Sequence, residues 1–135
     1  MKHKLCNKRG MRHANLGQLD SAIIYYEKAL SIQPDYVEAH YNIGFANHKL
    51  GNLDLAVRSY KKVVAIKPEY AITHKNKILS VIYFFSKGLI SDAINALEKL
   101  ININPNDALL FNMTGGCYAS QGKTDLAIKF YEKAL

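Results

Sequence analysis

Tryptophan is absent from the 135 residues, and cysteine, proline and glycine are sparse at two, three and eight copies. Cys6 and Cys117 are too few to build the disulfide framework of a small secreted domain, which excludes that class. Long apolar runs are missing too. The best candidate, around Ile78 to Phe85, is interrupted by Ser80 and closes at Ser86-Lys87, well short of the roughly 18 residues of a membrane span. The opening Met1-Lys2-His3-Lys4-Leu5-Cys6-Asn7-Lys8-Arg9 starts basic but leads into no apolar segment, so it is not a secretory signal. Acidic residues are lacking from the first twelve positions, where Lys2, Lys4, Lys8, Arg9 and Arg12 contribute five units of a net charge of +7. Such a stretch can attract nucleic acid or anionic lipid, but without interleaved aromatics it reads as a solvated chain end. What remains is a chain of 49% hydrophobic content, too apolar for disorder, expected in the reducing cytoplasm.

The residues that are present recur. Alanines at Ala22, Ala56, Ala93 and Ala127 are spaced by 34, 37 and 34, and Gly17, Gly51, Gly88 and Gly122 repeat those intervals. Tyr26, Tyr60, Leu97 and Tyr131 follow each alanine by four, and all three prolines (Pro34, Pro68 and Pro105) keep the period. A fixed period of this size is the mark of a repeat architecture.

Each unit predicts two helices joined by a glycine turn. Leu19, Ala22, Ile23, Tyr26, Ala29 and Leu30 line one helical face, and Leu53 to Val64 and Ile90 to Ile101 copy the pattern. Asp20, Asp54, Ser91 with Asp92, and Asp125 are expected to cap or charge the helix starts. Each proline ends one helix and suits the start of the next. Gly10, Gly44 and Gly115 fall in first helices, twelve residues before Ala22, Ala56 and Ala127. A helical glycine costs about 1 kcal/mol against alanine, so its recurrence predicts close approach of the two helices.

These residues resemble the tetratricopeptide repeat family, whose unit carries W-x2-L-G-x2-Y, A-x3-F and P. The second repeat reads His40-x2-Ile43-Gly44-x2-Asn47, Ala56-x3-Tyr60, Pro68; the fourth reads Phe111-x2-Thr114-Gly115-x2-Tyr118, Ala127-x3-Tyr131. The first reads Cys6-x2-Arg9-Gly10-x2-His13, Ala22-x3-Tyr26, Pro34. The resemblance implies an all-α fold, a right-handed superhelical solenoid of antiparallel helix pairs. It gives one domain over 1–135 with repeats near 3–36, 37–70, 71–107 and 108–135, the last truncated. Three departures stand out. The third repeat holds three extra residues between Ala71 and Phe84 and lacks the first-helix glycine. Arg9 stands where the second repeat has Ile43, so the first helix is expected at an end of the array with Arg9 in solvent. The chain stops at Leu135 without a polar cap, which predicts a fragment of a longer array.

The resemblance further implies a protein-interaction scaffold whose first helices line a groove. The matching positions include Asn7 and Met11; Tyr41, Asn42, Phe45, His48 and Lys49; Ile78, Ile82 and Phe85; and Asn112. An apolar centre with a polar rim suits an amphipathic helix or an extended apolar peptide. Against the family's carboxylate clamp, Asn7, Met11, Asn42, Lys75 and Leu79 retain two of five matches and lack the first lysine and the arginine, so no chaperone C-terminal tail is expected. No phosphate loop, metal motif or catalytic constellation is present, and neither enzyme activity nor a cofactor or metal is expected. His40 and His48 lie eight residues apart, too far along one helix to share an ion. Nucleic acid is an unfavoured partner because the centre is apolar. The other reading is a substrate-recognition helper domain of a larger enzyme, such as a glycosyltransferase. Apolar surface near Phe130, Tyr131 and Leu135 is expected to promote self-association.

Overall fold

The computed structural model describes residues 2–74, 78 and 90–135, and every regular element in them is an α-helix. Two compact units divide the chain, residues 1–66 and 67–135. The positions where the three extra residues of the third repeat were expected lie outside the described residues.

The first unit holds two helix pairs, α1 (Lys2–Asn15) with α2 (Leu19–Ile32), and α3 (Val37–Leu50) with α4 (Leu53–Ile66). Both turns place a glycine in the left-handed region, Gly17 at φ 78° and Gly51 at φ 83°, where a Cβ would be strained. Gly51 closes α3 by donating its N–H to the Asn47 and His48 carbonyls. Asn47 holds the same turn from its side chain: its Nδ2 donates to the Ile43 carbonyl at 3.1 Å, and its Oδ1 accepts from Asn52 Nδ2 at 3.3 Å. Pro34 follows the end of α2, as its fixed φ and missing N–H require.

Packing inside each pair rests on glycine meeting tyrosine. A Cβ built on Gly10 would lie 2.5 Å from Tyr26 Cε1, and one on Gly44 2.5 Å from Tyr60 Cε1. The expected close approach is present, but the surface pressed against each glycine is chiefly the ring four residues beyond the alanine. Ala22 adds its carbonyl oxygen, 3.0 Å from that Gly10 position. Between pairs, Ile43 of α3 clusters with Ala22 and Tyr26 of α2, with Ala14 and Leu30 at the margin. Burying such side chains is worth about 1.5–3 kcal/mol apiece, which makes the stacking of one pair on the next the source of the core.

The second unit contains α5 (Pro68–Thr73), α6 (Ile90–Ile103), α7 (Ala108–Ser120) and α8 (Thr124–Lys133). Pro68 occupies the first turn of α5, where its absent N–H removes no helical bond. Ala93, Ile94, Ala96, Leu97 and Leu100 of α6 are buried, as are Leu110, Thr114 and Cys117 of α7 and Ala127 of α8. Gly115 and Tyr131 repeat the glycine-on-ring contact at 2.7 Å.

The helix starts follow the expectation in part. Asp20 and Asp125 sit inside the first turn of α2 and α8, whose caps are Gln18 and Lys123 with no side-chain hydrogen bond. They act through the helix dipole and not as caps. Asp107 does supply a side-chain cap: its carboxylate accepts from the Leu109 N–H at 3.0 Å at the start of α7.

Candidate functional site

Among the described residues α3 is the most enclosed first helix, and it carries five of the expected groove positions. Tyr41 is buried, and its ring stacks on Phe45 with centroids 6.4 Å apart and planes 23° apart. Tyr60 of α4 backs it at 5.8 Å and 36°. Phe45, one turn on, is half-buried, and Lys49 Nζ lies 4.7 Å above its ring. A cation over an aromatic face at this range is attracted by the ring quadrupole. His48 and Lys49 are exposed and form the polar margin.

Asn42, on the side of α3 turned to α1, donates from Nδ2 to Asn7 Oδ1 at 3.0 Å. Asn7 is buried and its own Nδ2 points to Met11 Sδ at 3.8 Å. Asn7, Met11 and Asn42 are thus brought together across the two repeats, with Met11 46% exposed.

Burial pushes the Tyr41 phenol above its ordinary value, and burial followed by the nearby Tyr41 pushes Tyr60 far higher. Both rings are neutral across the physiological range, and the aromatic bed is uncharged. Tyr60 Oη is, among the described residues, a buried hydroxyl with no hydrogen-bond partner. His40 is engaged elsewhere: its Nε2 donates to the Pro34 carbonyl at 2.8 Å and ties the inter-repeat turn to α3. No group of three His, Cys, Asp or Glu among the described residues is placed to hold a metal ion.

Elsewhere, Ile78 is fully buried and Asn112 of α7 is exposed. Ile82 and Phe85, the other two expected positions, lie outside the described residues. One contributor is missed by sequence reasoning. Tyr60 reads only as a core position of its helix, though it supports Tyr41. Lys49 reads as rim, though the i, i+4 spacing from Phe45 already places its ammonium within reach of that ring.

Profiles of the tetratricopeptide repeat match residues 37–70 and 80–135, and a profile described as TPR repeat matches 10–51. A peroxisomal targeting signal receptor of Saccharomyces cerevisiae is 32% identical over 54 residues, which span 40% of this chain and only 9% of the receptor. Among solved structures, MamA superposes with a TM-score of 0.72 at 27% identity, covering 98% of this chain and 75% of that one. TTC0263, a thermophilic TPR protein in Thermus thermophilus, gives 0.55 at 27%, covering 98% and 73%. The helix pairs, the glycine-on-tyrosine contact and these matches agree, and the chain belongs to the tetratricopeptide repeat family, with its solenoid fold of antiparallel helix pairs.

Proposed function

We propose that this chain is a protein-interaction scaffold in which α3, with α1 beside it, receives an apolar or amphipathic peptide of a partner protein. The observation that carries the reading is the Tyr41–Phe45 stack. A half-exposed aromatic held rigid by a buried one, with Lys49 and His48 at its edge, offers an apolar anchor point inside a polar margin. The Asn42–Asn7 bridge lies alongside and supplies amide groups suited to an extended backbone. The family and the name of the yeast receptor, which reads a targeting signal, favour the same class of role. In this reading the protein works without catalysis or cofactor in the cytoplasm, and the exposed Leu126, Ile128 and Tyr131 of α8 support contact with a second copy.

The test is a pull-down from the source cell with wild type and Phe45→Ala. Phe45 is half-exposed, so its truncation spares most of the core. Loss of a specific partner in the Phe45→Ala lane supports the groove; identical partner sets in both lanes overturn it.

A further inference from the structure

The outward side of α1 is a second surface, separate from the proposed groove. Lys4, Lys8 and Arg12 follow one another at intervals of four along the helix, about 12 Å from first to last at 1.5 Å per residue. Arg9 and Lys2 flank the row, and all five side chains are exposed. α1 contains no acidic residue, and among the described residues no ion pair or side-chain hydrogen bond engages any of the five. Leu5 sits among them at 51% exposure.

The repeat tells what this side is shaped to meet. Thirty-four residues on, Leu5, Arg9 and Arg12 correspond to Ala39, Ile43 and Ala46 of α3, all buried. Ile43 there packs on Ala22 and Tyr26 of the preceding pair. The same face of α1 therefore has the form that accepts a helix, but presents two guanidiniums and a leucine where α3 presents aliphatic side chains. An apolar helix laid on it would strand those guanidiniums without a counter-charge. A second copy docking through Leu126, Ile128 and Tyr131 of α8 would do just that.

We propose that this face of α1 docks an acidic amphipathic helix of a partner protein, its carboxylates on Arg9, Arg12 and Lys8 and an apolar residue on Leu5. A lipid surface fits less well, because Leu5 is the single apolar side chain among the basic residues of this face, too little to enter a bilayer. Nucleic acid fits less well because no aromatic side chain shares the face for bases to stack on.

The probe is a fluorescein-labelled, blocked peptide of roughly 18 residues of Leu, Ala and Glu with glutamates at i, i+4, long enough to hold a helix. Fluorescence anisotropy should show saturable binding to the wild-type chain that weakens at least about tenfold with Arg9→Glu/Arg12→Glu. Raising salt from about 50 to 200 mM should also weaken it, since both charges are exposed. Circular dichroism should report unchanged helicity for that variant, and Phe45→Ala should bind the peptide like wild type, separating this face from the groove. Absence of saturable binding, equal binding by the charge-reversed variant, or stronger retention of an oligothymidine or of phosphatidylserine vesicles overturns the proposal.

Discussion

Gly44 faces the edge of the Tyr60 ring so closely that any added Cβ would lie 2.5 Å from Cε1 and 2.6 Å from Cδ1. Tyr60 has no exposed surface and cannot swing away. Gly115 meets Tyr131 in the same way at 2.7 Å, but Tyr131 is 42% exposed and has room to turn outward.

The two contacts predict unequal costs. Gly44→Ala should destabilise by about 1–3 kcal/mol through overpacking, whereas Gly115→Ala should cost less, because its ring can rotate and only the Ala127 carbonyl oxygen, 3.2 Å away, must still give. Urea denaturation of both variants decides it; a Gly44→Ala protein as stable as wild type would show that the glycine is not there for packing.

Tyr60 carries a hydroxyl without a partner. Tyr60→Phe keeps the ring that supports Tyr41 and removes an unpaired buried group, so stability should hold or rise by about 1 kcal/mol. A fall larger than that in the denaturation midpoint would mean that the hydroxyl is bonded in solution.

Alkaline pH should unfold the protein earlier than its helical content alone would suggest. Burial pushes the Cys117 thiol from 9.0 up to about 11 and raises the Tyr26, Tyr41 and Tyr60 phenols above 10. A group whose folded pKa is raised contributes fully below its unfolded value and loses that contribution as pH climbs through the folded one. Stability should therefore be flat below pH 9, fall first between 9 and 11 as Cys117 titrates, and fall further above 10 through the tyrosines. Melting curves across this range check the sign, and Cys117→Ala should remove the first part of the decline. Buried Cys117 should also resist a thiol reagent at pH 8 that labels the more accessible Cys6.

Asp107 supplies a side-chain cap, and Asp20 a first-turn charge only. Asp107→Ala should cost about 1 kcal/mol and Asp20→Ala a few tenths, the latter shrinking with added salt while the former persists. Thermal melts at low and high ionic strength measure both.

Much of this could be anticipated before any coordinates. The period of 34, the helical spacing within each unit and the punctuating glycines and prolines act locally, so they are written in the order of the residues. Left-handed glycines at 17, 51 and 122 and a proline opening α5 are direct consequences. Exposure of Arg9 follows in the same way, because an unpaired guanidinium resists burial. The partner of each helical glycine was harder to see. Ala22 and Tyr26 stand on one face of one helix, and only the distance between α1 and α2 decides which of them fills the space.

The surface depended most on tertiary structure. The family resemblance matches Tyr41, Asn42, Phe45 and Lys49 to groove-lining positions of α3 but is silent on which side chain shields which. Packing turned Tyr41 inward onto Tyr60, left Phe45 half in solvent under Lys49, and joined Asn42 to an asparagine 35 residues away. Local spacing along the chain is enough to choose helices, turns and repeat length, since those energies involve near neighbours. Which groups end up dry, paired or reachable is set by elements far apart in the chain, and that was resolved only when the helices met.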